Sequence, residues 1–128
     1  MIALLDTGAF LRWVEGDDRL SARAKSCIAN PDNEILVSTV VAWELAIKSG
    51  QGSIKLALPV GRYVAGHIEA NGFRLLDIEL DDVAAIETLP LHHRDPFDRL
   101  LAAQAIAEDL TIVSPDAIFE RYGCKRAW

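Results

Sequence analysis

The segment "HHRDPFDRLLAAQA", residues 92–105, sets His92, His93, Arg94, Asp95, Asp98 and Arg99 directly ahead of a run of alanine and leucine. Pro96 suits the first position of a helix and Asp95 the N-cap, where its carboxylate accepts backbone N–H bonds. That accounts for Asp95 as structure. Asp98, at the third helical position, extends a capping arrangement. Yet it shares a face with Leu101, Ala102 and Ala105 in a helix that is apolar almost all round. The alanines let such a helix pack closely on a sheet, which brings Asp98 to the edge of a core.

Three other acids stand in comparable places. Asp6 closes the apolar run "IALL", and Asp116 follows "TIVS" after one proline. Each also precedes a helix, so a plain N-cap explains either residue as well as chemistry does, and one carboxylate has lone pairs for both. Glu44 lies in "VVAWELAIK" on a stripe with Val40 and Ile47, where an acid is costly unless something satisfies it. An i,i+4 pair with Lys48 is the plain alternative. Converging, the four acids would repel and raise one another's pKa until a cation bound. Donors that are all oxygen select hard ions such as Mg²⁺ or Mn²⁺. His92 and His93 do not read as zinc ligands, because adjacent side chains diverge and no HExxH or second His/Cys pair accompanies them. They read as a surface loop placed to touch substrate, with a part in the site left open.

Strands that alternate with helices must position these acids. The pattern predicts strands at 2–5, 34–39, 73–78 and 111–114, with an edge strand in "CKRAW" at the end. Helices are expected over 7–14, 21–29, 40–50, 59–71, 96–109 and 116–122, with a short one capped by Asp81 or Asp82. The fold class is therefore α/β, a sandwich around a mostly parallel sheet flanked by helices. In such sheets ligands bind beyond the carboxyl ends of the strands, which is where Asp6 and Asp116 fall.

The chain has 128 residues and reads as one domain, 1–128, without linker or repeat. A formal net charge of −6 argues against non-specific nucleic-acid binding and leaves room for a basic protein partner. It does not exclude clustered carboxylates that hold cations. Cys27 and Cys124 form no CxxC pattern and suit a reducing, cytoplasmic setting. No run has the roughly 20 apolar residues of a membrane span, and the apolar start lacks a basic leader.

The blocks "LLDTGAFL", "STVVAWELAIKSGQGSIKL", "HRDPFDRLLAAQA" and "TIVSPDAIFERYG" together resemble the PIN-domain ribonucleases, and more closely the VapC toxins of prokaryotic toxin–antitoxin pairs. The blocks stand in family order and span essentially the whole chain. The resemblance implies a PIN-like three-layer sandwich with an acidic catalytic and metal-binding set of Asp6, Glu44, Asp98 and Asp116. Asp95 would be at most auxiliary, while Thr7 and Ser114 match the small hydroxyls beside the first and last acids. Pro115 is a mild departure from the family pattern. The implied activity is Mg²⁺- or Mn²⁺-dependent endoribonuclease, with RNA as substrate, a cognate VapB-type antitoxin and a homodimeric assembly. Arg12, Lys48, Lys55, Arg94 and Arg99 are candidates for a basic rim along the RNA. Helices 59–71 and 21–29 are candidates for the apolar faces that partners cover.

Other readings fit less well. A phosphoacceptor receiver domain needs paired acids after its first strand, where this chain has Asp6 beside Thr7. A haloacid-dehalogenase-type phosphatase needs a second Asp where Gly8 stands. A catalytically silent PIN-like interaction module is the non-enzymatic alternative; it must invoke loss outside the four acids.

Overall fold

A computed structural model describes residues 1–128. Five strands, β1 (Ile2–Leu5), β2 (Glu34–Ser38), β3 (Arg74–Leu76), β4 (Thr111–Val113) and β5 (Lys125–Ala127), form one sheet in the order β3-β2-β1-β4-β5. Every neighbouring pair is parallel. The helices are α1 (Thr7–Val14), α2 (Ala22–Ala29), α3 (Thr39–Gly50), α4 (Val60–Asn71), α5 (Leu80–Ala85), α6 (Pro96–Glu108) and α7 (Ile118–Arg121). No helix is long and apolar enough to cross a membrane.

Strand alternation divides the interior in two. Ala3, Leu5, Ile35, Val37 and Val113 point to one face, where Phe10, Ala24, Ile28, Val41, Leu45, Tyr63 and Val64 of α1–α4 cover them. Leu4, Leu36 and Ile112 point to the other, beneath Leu100, Leu101, Ala102 and Ala105 of α6 and Phe119 of α7. A strand buried on both faces must be apolar at every position, which is why "IALL" and "EILVS" read as unbroken runs. Ala102, Ala103 and Ala105 of α6 are buried, as close packing of the helix requires.

One local expectation is corrected. The short helix α5 is capped by Glu79, with Asp82 at its third position bonding back to the Glu79 amide at 2.8 Å; neither Asp81 nor Asp82 is the cap. Asp82 is taken up by a buried network instead. Ser38 Oγ donates to Gln104 Oε1 at 2.6 Å, and Gln104 Nε2 donates to Asp82 Oδ2 and the Asp77 carbonyl at 3.3 and 3.2 Å. The network ties α5 and α6 to the corner where β2 passes into α3. Trp43, Leu80, Val83 and Leu91 are exposed on α3, α5 and the loop before α6, whereas α2 and α4 turn Ile28, Tyr63 and Val64 into the core.

Candidate active site

Strand order reverses beside β1: β2 and β3 lie on one side, β4 and β5 on the other. Loops leaving adjacent strands diverge at such a point and open a crevice at their carboxyl ends. Leu5 of β1 pairs with Val113 of β4 at this edge. Asp6 follows the first strand, and Asp116 lies a short loop beyond the second.

Asp6 is both a cap and a site acid. Its Oδ1 accepts the Ala9 amide at 2.7 Å, and the residue is only 9% exposed. Asp116 is not the cap of α7, which begins at Ile118. Its Oδ1 accepts the Ile118 amide at 3.0 Å in a side-chain turn, and its own amide donates to Ser114 Oγ at 3.0 Å. Glu44 is buried on α3. The Thr7 hydroxyl donates to its Oε1 at 2.6 Å and Lys48 Nζ donates to its Oε2 at 2.5 Å. The i,i+4 pair is therefore real, and Thr7 adds a bond from a second helix.

In α6, Asp95 takes the capping role alone, accepting the Phe97 and Asp98 amides at 2.9 and 3.4 Å. Asp98 is thereby free to face the crevice. Burial raises its pKa most, and the charges of Asp95, Asp6, Glu44 and Asp116 raise it further, so Asp98 lies within the field of the other three expected acids. His93, whose part in the site the sequence leaves open, stands beside these acids, with Nε2 3.3 Å from Asp98 Oδ2 and 4.0 Å from Asp116 Oδ2. Lys48 is the one basic rim candidate bonded to a site acid. Arg12 lies over the Trp128 ring, and its charge, the smallest of several influences, opposes the rise that burial causes in the Asp6 pKa. Arg94 and Arg99 line a cleft of about 460 Å³ with Trp43, Pro96 and Leu100, and Lys55 is exposed.

Burial pushes Asp98 up to about 7, with the neighbouring acids adding to it. Burial likewise pushes Asp6 up to about 6, opposed by the Ser114 hydroxyl and the Ala9 amide. Both acids start from 3.8, so in the window between about 4 and 7 the folded chain binds more protons than the unfolded one. Their contribution to stability is complete below that window and is lost as pH rises through it. Urea midpoints of chelator-treated protein should therefore fall from pH 5 to pH 8, relative to an Asp6→Asn/Asp98→Asn variant. A relative rise in the wild type would contradict the assignment.

The chain is thus a parallel α/β sandwich with carboxylates at the carboxyl ends of its strands, beside the switch point where such sheets bind ligands. The PIN domain family model matches residues 3–124. The chain is 32% identical over 116 residues to Ribonuclease VapC22 of Mycobacterium tuberculosis, covering 88% of this chain and 85% of that protein. Among solved structures, VapBC2 from Rickettsia felis, bound to a DNA fragment from its promoter, matches with a TM-score of 0.70 at 18% identity, covering 98% of this chain and 97% of that one. VapBC-1 from nontypeable Haemophilus influenzae matches with a TM-score of 0.64 at 14% identity, covering 98% and 96%. The chain belongs to the PIN-domain family, in its VapC branch.

Proposed function

We propose that this chain is a Mg²⁺- or Mn²⁺-dependent endoribonuclease, the toxin of a toxin–antitoxin pair, and that a VapB-type antitoxin holds it inactive. The observation that supports this reading is Asp98 beside Asp116 at the switch point, within the field of Asp6 and Glu44, with Asp6 and Asp98 raised toward neutrality. Lys48 is bonded to Glu44 only, which leaves most of the acidic charge unmatched, and the donors are oxygens. Such a set fits a hard divalent cation.

When bound, the cation offsets charge on the scissile phosphate and favours ionisation of the attacking water. Asp6, Asp98, Asp116 and Glu44 would hold it. Thr7 and Lys48 fix the Glu44 carboxylate from two sides, and the Ala9 amide fixes Asp6. Asp116 is the most exposed of the four side chains, at 45%. The water oxygen bonds to phosphorus as the bond to the leaving 3′-oxygen breaks and that oxygen takes a proton. The products carry 5′-phosphate and 3′-hydroxyl ends, and no ribose hydroxyl acts as nucleophile.

The name of the M. tuberculosis relative supports the ribonuclease reading, and the R. felis and H. influenzae neighbours, as VapBC structures, support an antitoxin partner. A homodimer would cover exposed apolar side chains such as Trp43, Leu80 and Val83. Expression of this chain alone should arrest bacterial growth, and co-expression of its cognate antitoxin should relieve the arrest. Growth unaffected by the soluble wild-type chain would count against the toxin assignment.

A further inference from the structure

Distance alone would make His93 a ligand as readily as a hydrogen-bond donor. Its Nε2 and one oxygen each of Asp98 and Asp116 lie within 4.8 Å of one another. Donors bonded to one ion at about 2.1 Å stand about 3–4 Å apart. The far side of the ring decides between the two roles. Nδ1 accepts the Asp95 amide hydrogen at 3.3 Å. A neutral imidazole has one N–H and one lone pair. With the Nδ1 lone pair turned toward an amide, the proton sits on Nε2 and points at the carboxylates. Metal-bound histidines have the opposite arrangement, donating the far N–H to a carboxylate or carbonyl while the near lone pair binds.

The segment that carries the ring is held from behind. The amides of His93 and His92 both donate to the Tyr122 hydroxyl, at 2.9 and 3.2 Å, and the His92 ring packs on Tyr122 with centroids 4.9 Å apart. Tyr122 is itself buried. Asp95 thus starts α6 with its carboxylate and sets the imidazole tautomer with its amide.

We propose that His93 is a positioning residue and not a metal ligand, donating its Nε2–H to Asp98, with Asp116 next in reach. The inference rests on reading the acid cluster as a cation site. Its consequence is that one Asp98 oxygen is held by His93 while the other is left for the ion, so the ion meets oxygen donors only.

Manganese binding to the full chain, followed by electron paramagnetic resonance, tests this. His93→Ala should weaken Mn²⁺ binding by about 10–100-fold, the usual loss when a ligand's supporting hydrogen bond is removed. His93→Gln, which keeps an N–H donor, should restore most of it. Spin-echo spectra of the wild type should show no directly bound nitrogen. Nitrogen-15 spectra of the metal-free chain, about two pH units above the reference imidazole value of about 6.5, should show the proton of His93 on Nε2. A bound-nitrogen signal lost in His93→Gln, a proton on Nδ1, or wild-type affinity in His93→Ala overturns the proposal and leaves the acid site standing. A wild type that binds no Mn²⁺ removes the cation site and His93's role with it.

Discussion

Asp98→Asn is expected to abolish metal-dependent RNA cleavage while making the metal-free protein more stable above pH 7. The side chain is 19% exposed, and its pKa stands near 7 because burial and four neighbouring acids oppose its ionisation. Asparagine keeps the shape, removes the charge and so relieves that opposition. The relief is on the order of 1–3 kcal/mol at pH 8, since each unit of pKa shift is worth about 1.4 kcal/mol. Cleavage is lost because the neutral amide no longer offers an anionic oxygen to a hard cation. Asp95→Asn is the control from the same segment. Asparagine caps a helix about as well as aspartate, so activity should stay near the wild type and stability should change far less than in Asp98→Asn. Cleavage assays and urea melts on the two variants check the pair. The reverse ranking, with Asp95→Asn inactive and Asp98→Asn active, would overturn the division of roles within "RDPFD".

The second large effect is expected from the ion. Added Mg²⁺ or Mn²⁺ should raise the melting temperature, because a ligand that binds only the folded chain stabilises it by mass action, by about 2.7 kcal/mol at one hundred times its Kd. Metal ligands must be deprotonated, so protons that Asp6 and Asp98 retain at pH values around 6–7 must leave on binding. Proton release should be largest near pH 6 and fade by pH 8.5, while apparent affinity climbs over the same range. Calorimetry in two buffers of different ionisation heat reads the protons directly. The Asp6→Asn/Asp98→Asn variant should show neither the melting shift nor the release. An equal shift in that variant would place the ion elsewhere.

Much of this site was legible in the sequence, for a physical reason. Strands buried on both faces must be continuously apolar, so "IALL" and "TIVS" announced themselves, and the acids just beyond them fell at the edge where α/β sheets bind ligands. Asp98 stood out because Asp95 satisfied the helix start by itself, as Asp95 does in the structure. Residues whose role depends on distant parts of the chain were harder to read. His93 enters the site because Tyr122, far along the chain, holds the backbone of its loop. Gln104 is buried in a helix otherwise read as apolar and bonds Ser38 and Asp82, neither of which its local sequence indicates. Trp43 and Leu80 are ordinary helical apolar residues until tertiary packing leaves them outside.

The most direct measurement of the central claim is the chemistry of the ends made when the purified chain acts on RNA. Cleavage should require Mg²⁺ or Mn²⁺, stop with chelator, vanish in Asp6→Asn/Asp98→Asn, and leave 5′-phosphate and 3′-hydroxyl ends. Cleavage that survives chelation, persists in that variant, or leaves 2′,3′-cyclic phosphates would contradict it.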